Sequence, residues 1–534
     1  MSGHQSWTPA PAGAEAKVVT NVAASPARVF RALTSNLEQA AIAGGSASID
    51  PVAGGAARWT GGRLGHVTAT IHEVVQDRRI VFLVHDLAWL DGWGLGPLER
   101  PSRLEIAVDP GDGPASAVLT LRHATSSAEQ ARCLVREWRR FYLASLQMHF
   151  ERWTSAFDGG APKLAISRFA AFRWGAETVA AMSGAGGRHF DVPRPIALSV
   201  LNAFSTPRTP SEAIDAAPAD ERDAMGDAID AFTGAALLEP VRGADAGANP
   251  PSQIARWEPH DLLFHQIAAQ FGNGAWHDLG RREPTPAIRP PASTTFVPLR
   301  VDAAPPTITL EAALERRCSI REFERQPLSI DTVSALLSAS ARNAQGERAA
   351  RWNQEWMPGE YVARPYASGG ARYSTELYLF VGENGVEGTA AGIYRYCPEE
   401  HRLEQLVTGR SIVDPVLAAV SSESMIRPPA DTPDENVIPP LLIVITSRFG
   451  RVTFKYGGVA YDLVLKETGA LLQTLYLVTA ALGLAGCALG AVPGASRTIA
   501  RHCSLNPLEE PVVGYYMVGL PYGRALSGEA GGAR

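Results

Sequence analysis

From Gly469 to Val492 the chain reads GALLQTLYLVTAALGLAGCALGAV without one charged side chain. A run of this kind must leave water, and it is long enough to cross a bilayer. Gly483 and Gly486 interrupt it, however, and no basic flank marks an adjoining cytoplasmic loop. We read it as a buried core helix that stops near Gly483 and gives way to a short strand. A helix covered on all sides needs a sizeable domain around it.

The chain has 534 residues, too many for a single core, and this length corresponds to about three domains. Its hydrophobic content of 46% is ample for packed interiors. A net charge of -6 supplies no basic field, so neither nucleic acid nor a membrane surface is expected as a partner. The five cysteines (Cys133, Cys318, Cys397, Cys487, Cys503) are scattered, with no CxxC and no Cys/His cluster, so no metal site and no disulfide framework is expected. A reducing, cytoplasmic setting follows as the default. The opening MSGHQSWTPAPAGAEAKVV lacks a basic start followed by an apolar run, so no signal peptide is expected.

Residues 1–157 alternate as a sheet protein does. A strand at Lys17 to Ala23 precedes SPARVFRALTS, where Ser25 can cap a helix beginning at Pro26. Strand-like runs follow at His66 to Val75, Ile80 to His85, Arg103 to Val108 and Ala117 to His123. The amphipathic helix SSAEQARCLVREWRRFYLASLQMHFERW closes the segment. This order, with VAASPARVFRALTS at one end and EWRRFYLASLQMHFERW at the other, resembles the START-like helix-grip (SRPBCC) superfamily. The likeness is to its heat-shock-ATPase-activator and polyketide-cyclase branch. It implies a cavity between sheet and last helix that either holds a hydrophobic ligand or is filled by side chains. Arg63, His85 and Trp89 are candidates to point into it.

Residues 158–276 read as mostly helical with Pro-rich breaks. ALSVLNAFSTPRTPSEAIDAA and DAIDAFTGAALLEPV suggest a helix–turn–helix with an Ala-Leu-Leu-Glu-Pro exit, a winged-helix-like arrangement. The stretch is acidic, which argues against DNA. ARWEPHDLLFHQIAAQFG resembles the end of the small module that precedes the flavin domain in SagB-type dehydrogenases, where it is associated with peptide recognition. His265 within it is a tempting base, but a lone histidine at helical spacing reads first as a buried, hydrogen-bonded residue. Residues 277–306 are Pro-rich and read as a linker.

From residue 307 helices and strands alternate. Arg316-Arg317-Cys318-Ser319-Ile320-Arg321 places guanidiniums and a hydroxyl at a helix end, a combination suited to phosphate. A second helix follows, capped by Ser329 or Asp331. Ser368-Gly369-Gly370 then offers bare backbone that a flat ring could approach closely. RRCSIREF, SGGA before ELYLF, GIYRYCPEEHRLEQL, KYGGVAYDLVLKETGALLQTLYL and the terminal VGLP together resemble the nitroreductase superfamily, specifically its SagB-type (thiazole/oxazole-forming) dehydrogenases. The expected fold class is therefore α+β multidomain: a helix-grip START-like domain, a winged-helix-like middle module and a nitroreductase-like α/β flavin domain at 307–534.

That resemblance implies flavin mononucleotide (FMN) at a homodimer interface. Arg317, Ser319 and Arg321 would hold its phosphate and ribityl chain, with Cys318 contributing backbone. Ser368, Gly369 and Gln473 would lie near the ring, Gly490 and Ala491 would present backbone N–H groups to it, and Arg524 would add a phosphate contact. Lys455 and Tyr456 stand where the family has its catalytic Lys-Tyr pair. On composition alone they would be a surface lysine and a core aromatic. The implied activity is oxidation of an azoline or related bond in a peptide-derived natural product, with oxygen reoxidising the flavin. Its rivals are a nicotinamide-dependent nitro or quinone reductase, and a non-catalytic ligand-binding scaffold with a vestigial flavin fold.

Overall fold

Strand β1 (Glu15–Val22) alternates exposed Glu15, Lys17 and Val19 with buried Ala16 and Val18, the period of two that turns one face to a core. The computed structural model describes residues 14–61, 65–87, 101–125, 127–157, 162–183, 189–241, 257–270, 285–301, 307–344, 361–423, 438–456, 459–492 and 494–523. Residues 1–274 and 275–534 form two compact units.

In the first unit β2 (Ser46–Ile49), β3 (Ala56–Gly61), β4 (Gly65–Val75), β5 (Arg79–Leu87), β6 (Ser102–Pro110) and β7 (Ala117–Ala124) join β1 in an antiparallel sheet of order β1-β7-β6-β5-β4-β3-β2. Helix α1 (Pro26–Thr34) starts where expected, with Ser25 accepting from the Arg28 N–H and Pro26 in its first turn. Helix α2 (Asn36–Ala43) follows at once. The closing helix runs as α3 (Ala128–Glu137), a π-helical segment Trp138–Leu143 and α4 (Ala144–Phe157). Val18, Phe82, Ile106 and Leu121 of the sheet pack with Leu134, Trp138, Leu146 and Phe150 of these helices.

The space between sheet and helix is nearly filled. A cavity of about 20 Å³ remains among Trp59, Phe82, Val84, Trp138 and Tyr142, room for about one water. Gln39 reaches into it, accepting from Trp59 Nε1 (3.3 Å) and the Tyr142 hydroxyl (2.9 Å) and donating to the Ala32 carbonyl (2.9 Å). His85 does not line this space. It is one residue out of phase with Phe82 and Val84, so the strand period turns it outward, where Nε2 pairs with Thr70 Oγ1 at 2.8 Å. Arg63 and Trp89 lie outside the described residues.

All side chains of α2 from Leu37 to Ala43 are buried, because the helix lies between two cores. Ile42 and Ala43 join the sheet's core, while Leu37, Ala40 and Ala41 pack with Val179, Phe190, Val200 and Phe232. The rest of the unit comprises β8 (Leu164–Ile166), β9 (Ala170–Trp174), β10 (Thr178–Ser183), β11 (His189–Pro193), α5 (Arg194–Ala203), α6 (Pro210–Ala216), α7 (Arg222–Gly234), β12 (Leu238–Pro240) and α8 (Pro259–Gln270), and the latter four residues lie on β10, β11, α5 and α7. The mostly helical segment expected here is corrected. Strands β9 to β11 form an antiparallel sheet before the helices begin, and β8 pairs with β12. Short Ala- and aromatic-containing runs around the turn at Gly175 are too brief to show a period. The expected helices are present as α5, α6 and α7, with the Pro207–Pro210 turn between α5 and α6, and α6 opens on a capping box between Thr209 and Glu212. His265 is exposed instead of buried, its ring 5.4 Å from that of Trp257.

A buried ionic knot ties the two halves of this unit. Arg28 forks onto Glu38 (Nη1–Oε1 3.0 Å, Nη2–Oε2 2.6 Å), and His149 Nε2 meets Glu38 Oε2 at 2.9 Å. Asp230 of α7 accepts from Arg31 (2.7 Å) and from Trp153 Nε1 (2.7 Å), with Arg28 at 3.4 Å. Glu38 is fully buried. Burial pushes its carboxyl up, but the His149 hydrogen bond and the Arg28 charge outweigh that and hold it below the ordinary range.

In the second unit the strands are β13 (Phe296–Pro298), β14 (Thr375–Val381), β15 (Gly392–Cys397), β16 (Arg402–Thr408), β17 (Leu441–Ser447), β18 (Ala485–Leu489) and β19 (Val512–Gly519), in order β13-β16-β15-β14-β17-β19-β18. Every described pair is antiparallel, so the α/β expectation for this domain becomes α+β. The helices are α9 (Leu310–Arg316), α10 (Ile330–Ala341), α11 (Arg410–Glu423), α12 (Gly450–Thr453), α13 (Ala460–Ala481) and α14 (Ala495–His502). Strands β14 and β17 are buried at every residue, since both faces of the sheet are covered. Leu377, Leu379, Ile443 and Ile445 pack with Leu337, Leu471 and Leu475, while Tyr378, Phe380, Leu442 and Val444 pack with Val413, Leu417 and Ile499.

The charge-free run is α13, ending before Gly483 (φ 70°), then β18. Among the described residues no helix is long and apolar enough to cross a membrane. The stretch read as linker contributes edge strand β13, which pairs with β16, and its Ala292 and Ser293 N–H groups donate to buried Glu404. The β-branched and aromatic residues of TTFVPLRV favour that strand despite the prolines around it.

Candidate functional site

The sequence-predicted residues gather at two places along α13. The first is the arginine-serine turn. Thr309 caps α9 by accepting from the Ala312 N–H, and the helix ends with Arg317 leaving helical geometry, which turns the chain across the end of α13. Ile320 N–H donates to the Gly486 carbonyl (3.1 Å), pinning the turn to β18. The Arg317 guanidinium stands over the Tyr476 ring, 5.5 Å from its centre. Ser319 Oγ shares a 2.9 Å hydrogen bond with the Tyr476 hydroxyl, which also accepts from the Ala488 N–H (2.8 Å). Arg321 Nη1 lies 3.5 Å from the Ser319 carbonyl. Cys318 is exposed, as are Gln473, one turn before Tyr476, and Gly490 and Ala491 just beyond β18. Nothing crowds Gly490, whose added β-carbon would meet no atom within 4 Å. Arg524 lies outside the described residues.

This constellation suits an anion with an extended tail. It offers guanidiniums, a hydroxyl and open backbone in one corner. Among the described residues no group of three or more His, Cys, Asp or Glu side chains could hold a metal ion.

The second cluster surrounds the Ser368-Gly369-Gly370 turn, two helical turns earlier on α13. From Glu467 to Tyr476 is about 14 Å along a helix axis. Buried Glu467 organises the turn: it accepts from Ser368 Oγ (2.5 Å), Ser374 Oγ (3.3 Å) and the Thr375 N–H (2.9 Å). Arg364, also buried, holds the approach by donating to Asn343, Tyr366 and the Thr375 carbonyl. Gly369 packs so close to Leu463 that a β-carbon would sit 3.2 Å from its methyl.

Gly370 adopts φ 61°, the left-handed region that favours glycine. A β-carbon there would lie 2.5 Å from the Tyr456 hydroxyl and 3.1 Å from Lys455 Nζ, so both groups come up against one bare glycine. Lys455 is 7% exposed and is not a surface lysine. Its amine, 5.3 Å from the centre of the Tyr456 ring, titrates below the ordinary lysine range because burial and then the Arg372 charge disfavour its protonated form. Burial pushes the half-buried Tyr456 hydroxyl up, so it keeps its proton. An amine that gives up its proton more readily than an ordinary lysine, beside a phenol that holds its own more tightly, can form an acid–base pair.

Sequence reasoning missed Tyr476, Glu467, Arg372 and Arg451. Tyr476 could have been found, since it falls three residues after Gln473 and so on the same helical face. Glu467 was visible as a carboxylate just before the charge-free run, in a helix that must be covered. Nothing local marked the two arginines, whose neighbour relation is tertiary.

Comparison with known proteins assigns both ends of the chain. The nitroreductase family matches residues 314–520, and "Activator of Hsp90 ATPase homolog 1-like protein" matches residues 23–151. The chain therefore carries a nitroreductase-family domain and an activator-of-Hsp90-ATPase-like, SRPBCC-type domain. MJ1384 of Methanocaldococcus jannaschii, named as a nitroreductase, is 28% identical over 34% of this chain and 79% of its own length. Trifolitoxin-processing protein TfxB of Rhizobium leguminosarum bv. trifolii is 23% identical over 48% of this chain and 69% of its own length. Microcin B17-processing protein McbC of Escherichia coli is 32% identical over 23% of this chain and 42% of its own length. Among solved structures, the E. coli microcin synthetase McbBCD complex with truncated pro-MccB17 bound aligns at 21% identity and TM-score 0.30 over 45% of this chain and 81% of that one.

Proposed function

We propose that this chain is an FMN-dependent dehydrogenase of the SagB type, oxidising an azoline or related bond in a peptide-derived natural product. The observation that carries this reading is the convergence of Lys455 Nζ and the Tyr456 hydroxyl on Gly370, with the amine held below its ordinary range. Oxidising a saturated ring requires a base for one C–H proton while hydride leaves the neighbouring carbon. FMN, held by Arg317, Ser319, Arg321 and the backbone at Gly490 and Ala491, would supply the hydride acceptor, with oxygen as final oxidant. Lys455 takes the proton, and Tyr456 donates a hydrogen bond to the ring heteroatom or the adjoining carbonyl. Gly370, bare of a side chain, lets both groups close on its backbone. Two of the relatives are named for processing a peptide product, which agrees with this substrate class.

Exposed apolar residues on the same unit support a homodimer. Leu310 (67% exposed) and Leu314 (51%) of α9, and Tyr461 (41%) and Leu465 (39%) of α13, the helix on which α9 packs, leave apolar side chains at the surface. A second copy covering this face would bury them.

The reading is tested by adding NADH or NADPH to the flavin-loaded protein under argon, then repeating the experiment with an azoline peptide. The account predicts slow or absent bleaching with the nucleotides and rapid bleaching with the peptide, whose product has lost two hydrogen atoms by mass. Rapid bleaching by a nucleotide and none by the peptide would instead establish a nitro or quinone reductase.

A further inference from the structure

Arg372 and Arg451 are both almost wholly buried, at 1% and 0% exposure. They cross: Arg372 Nε donates to the Arg451 carbonyl (2.9 Å), and Arg451 Nε donates to the Arg372 carbonyl (2.6 Å). Arg451 also donates to the Thr285 carbonyl (3.0 Å). The Arg372 guanidinium lies between the rings of Phe454 (5.4 Å) and Tyr361 (5.6 Å). Its Nη1 and Nη2 are buried, and burial disfavours its charge while the Tyr361 hydroxyl, by charge and by hydrogen bonding, and then Tyr456 favour it. Among the described residues it forms no ion pair with a carboxylate. Buried guanidiniums are expensive, and an unpaired one asks for a reason.

We propose that Arg372 and Arg451 are positioning residues for Lys455. Their crossed bonds tie the turn bearing Gly370 to the helix end bearing Lys455 and Tyr456, and Arg372, with no carboxylate partner among the described residues, sets a positive charge near the lysine amine. The inference rests on the reading of Lys455 as the base. Each part has a physical consequence. The reciprocal carbonyl bonds extend the tie between two backbone segments beyond the β14–β17 pairing and the Arg448 N–H to Ser374 carbonyl bond, out to the turn at Gly370. The charge acts on the amine after burial itself, in the direction that releases its proton. Arg451 feels the same crowding of like charge, lowered to about 9 by burial and then by Arg372, Arg448 and Arg364, with Glu376 opposing. The Tyr456 phenol lies beside the amine, its ring centre 5.3 Å from Nζ. Burial and then Tyr361 raise Tyr456, while Arg372 opposes.

The sequence makes a direct test practical, because the chain has four lysines, Lys17, Lys163, Lys455 and Lys466. With lysine carrying carbon-13 at the ε position, the signal of Lys455 is the one missing from Lys455→Met. Its titration is followed by NMR in the full-length protein without substrate. Lys455 should titrate below the other three. Arg372→Met should raise its midpoint by about one pH unit or more, whereas Arg372→Lys, which retains the charge, should leave it near the wild-type value. If Arg372→Met does not fold, Arg372→Gln takes its place, its amide still able to reach the Arg451 carbonyl. No shift in the neutral variant overturns the inference. So does an equal shift in the neutral and charged variants, which would mark a packing defect. The base assignment fails separately, if Lys455→Met turns over at the wild-type rate whatever the titration shows.

Discussion

Lys455→Met should retain its flavin and its melting temperature yet oxidise an azoline peptide about 10²- to 10⁴-fold more slowly than wild type, the contribution expected of a positioned general base. The amine is buried against Gly370, so methionine fills nearly the same volume and the loss is chemical, not structural. Because burial and Arg372 disfavour the charged amine, activity should rise with pH as Lys455 loses its proton, with the limb below the ordinary lysine value of 10.5. That limb should vanish in the variant. Gly370→Ala should lose activity by another route: its methyl would occupy the space between the phenol and the amine, on backbone that disfavours any side chain. Steady-state rates across pH, with flavin content and thermal melts as controls, check both. A Lys455→Met enzyme within threefold of wild type would remove lysine from the mechanism.

Glu38→Gln should cost the first unit about 3–5 kcal/mol, because it leaves Arg28 buried against a neutral amide that cannot balance it. The effect reaches beyond one contact, since Glu38 receives Arg28 and His149 while Arg28 also faces Asp230 of the adjoining helices. A fall in melting temperature on the order of 10 °C is expected for a unit of this size. The pH dependence has a definite sign. Glu38 sits below its ordinary 4.5 in the folded state, so its contribution is complete above that value and is lost as pH falls through the lower, folded value. Wild type should therefore destabilise in acid more steeply than Glu38→Gln. Calorimetry between pH 3 and pH 7 checks this; a loss of under about 1 kcal/mol would show the knot to be dispensable, as exposed ion pairs often are.

The parts of this fold that were legible in the sequence are those where local chemistry decides. Ser25 before Pro26 and Ser329 before α10 each mark a helix start by a side chain reaching its own backbone. The strands β4 to β7 alternate over enough residues to show their period. The middle strands β8 to β11 do not, and helix α2 carries no amphipathic stripe because two cores share it. The same division runs through the candidate site. Arg317, Ser319 and the Lys455-Tyr456 pair stand out as motifs. Glu467, Tyr476 and the Arg372–Arg451 cross do not, because their partners are brought from 79 to 157 residues away by the packing of α13 and α12. His85 went wrong for a simpler reason, a strand phase that only the register reveals.

The central claim is that the Arg317–Arg321 turn anchors a flavin beside the Lys455 site. Full-length protein, incubated with FMN and freed of excess by gel filtration, should show the isoalloxazine absorbance bands at close to one flavin per chain. Arg317→Ala with Ser319→Ala should emerge nearly colourless while melting as wild type does. A folded wild-type protein that takes up no flavin, or a double variant that keeps all of it, would contradict the account.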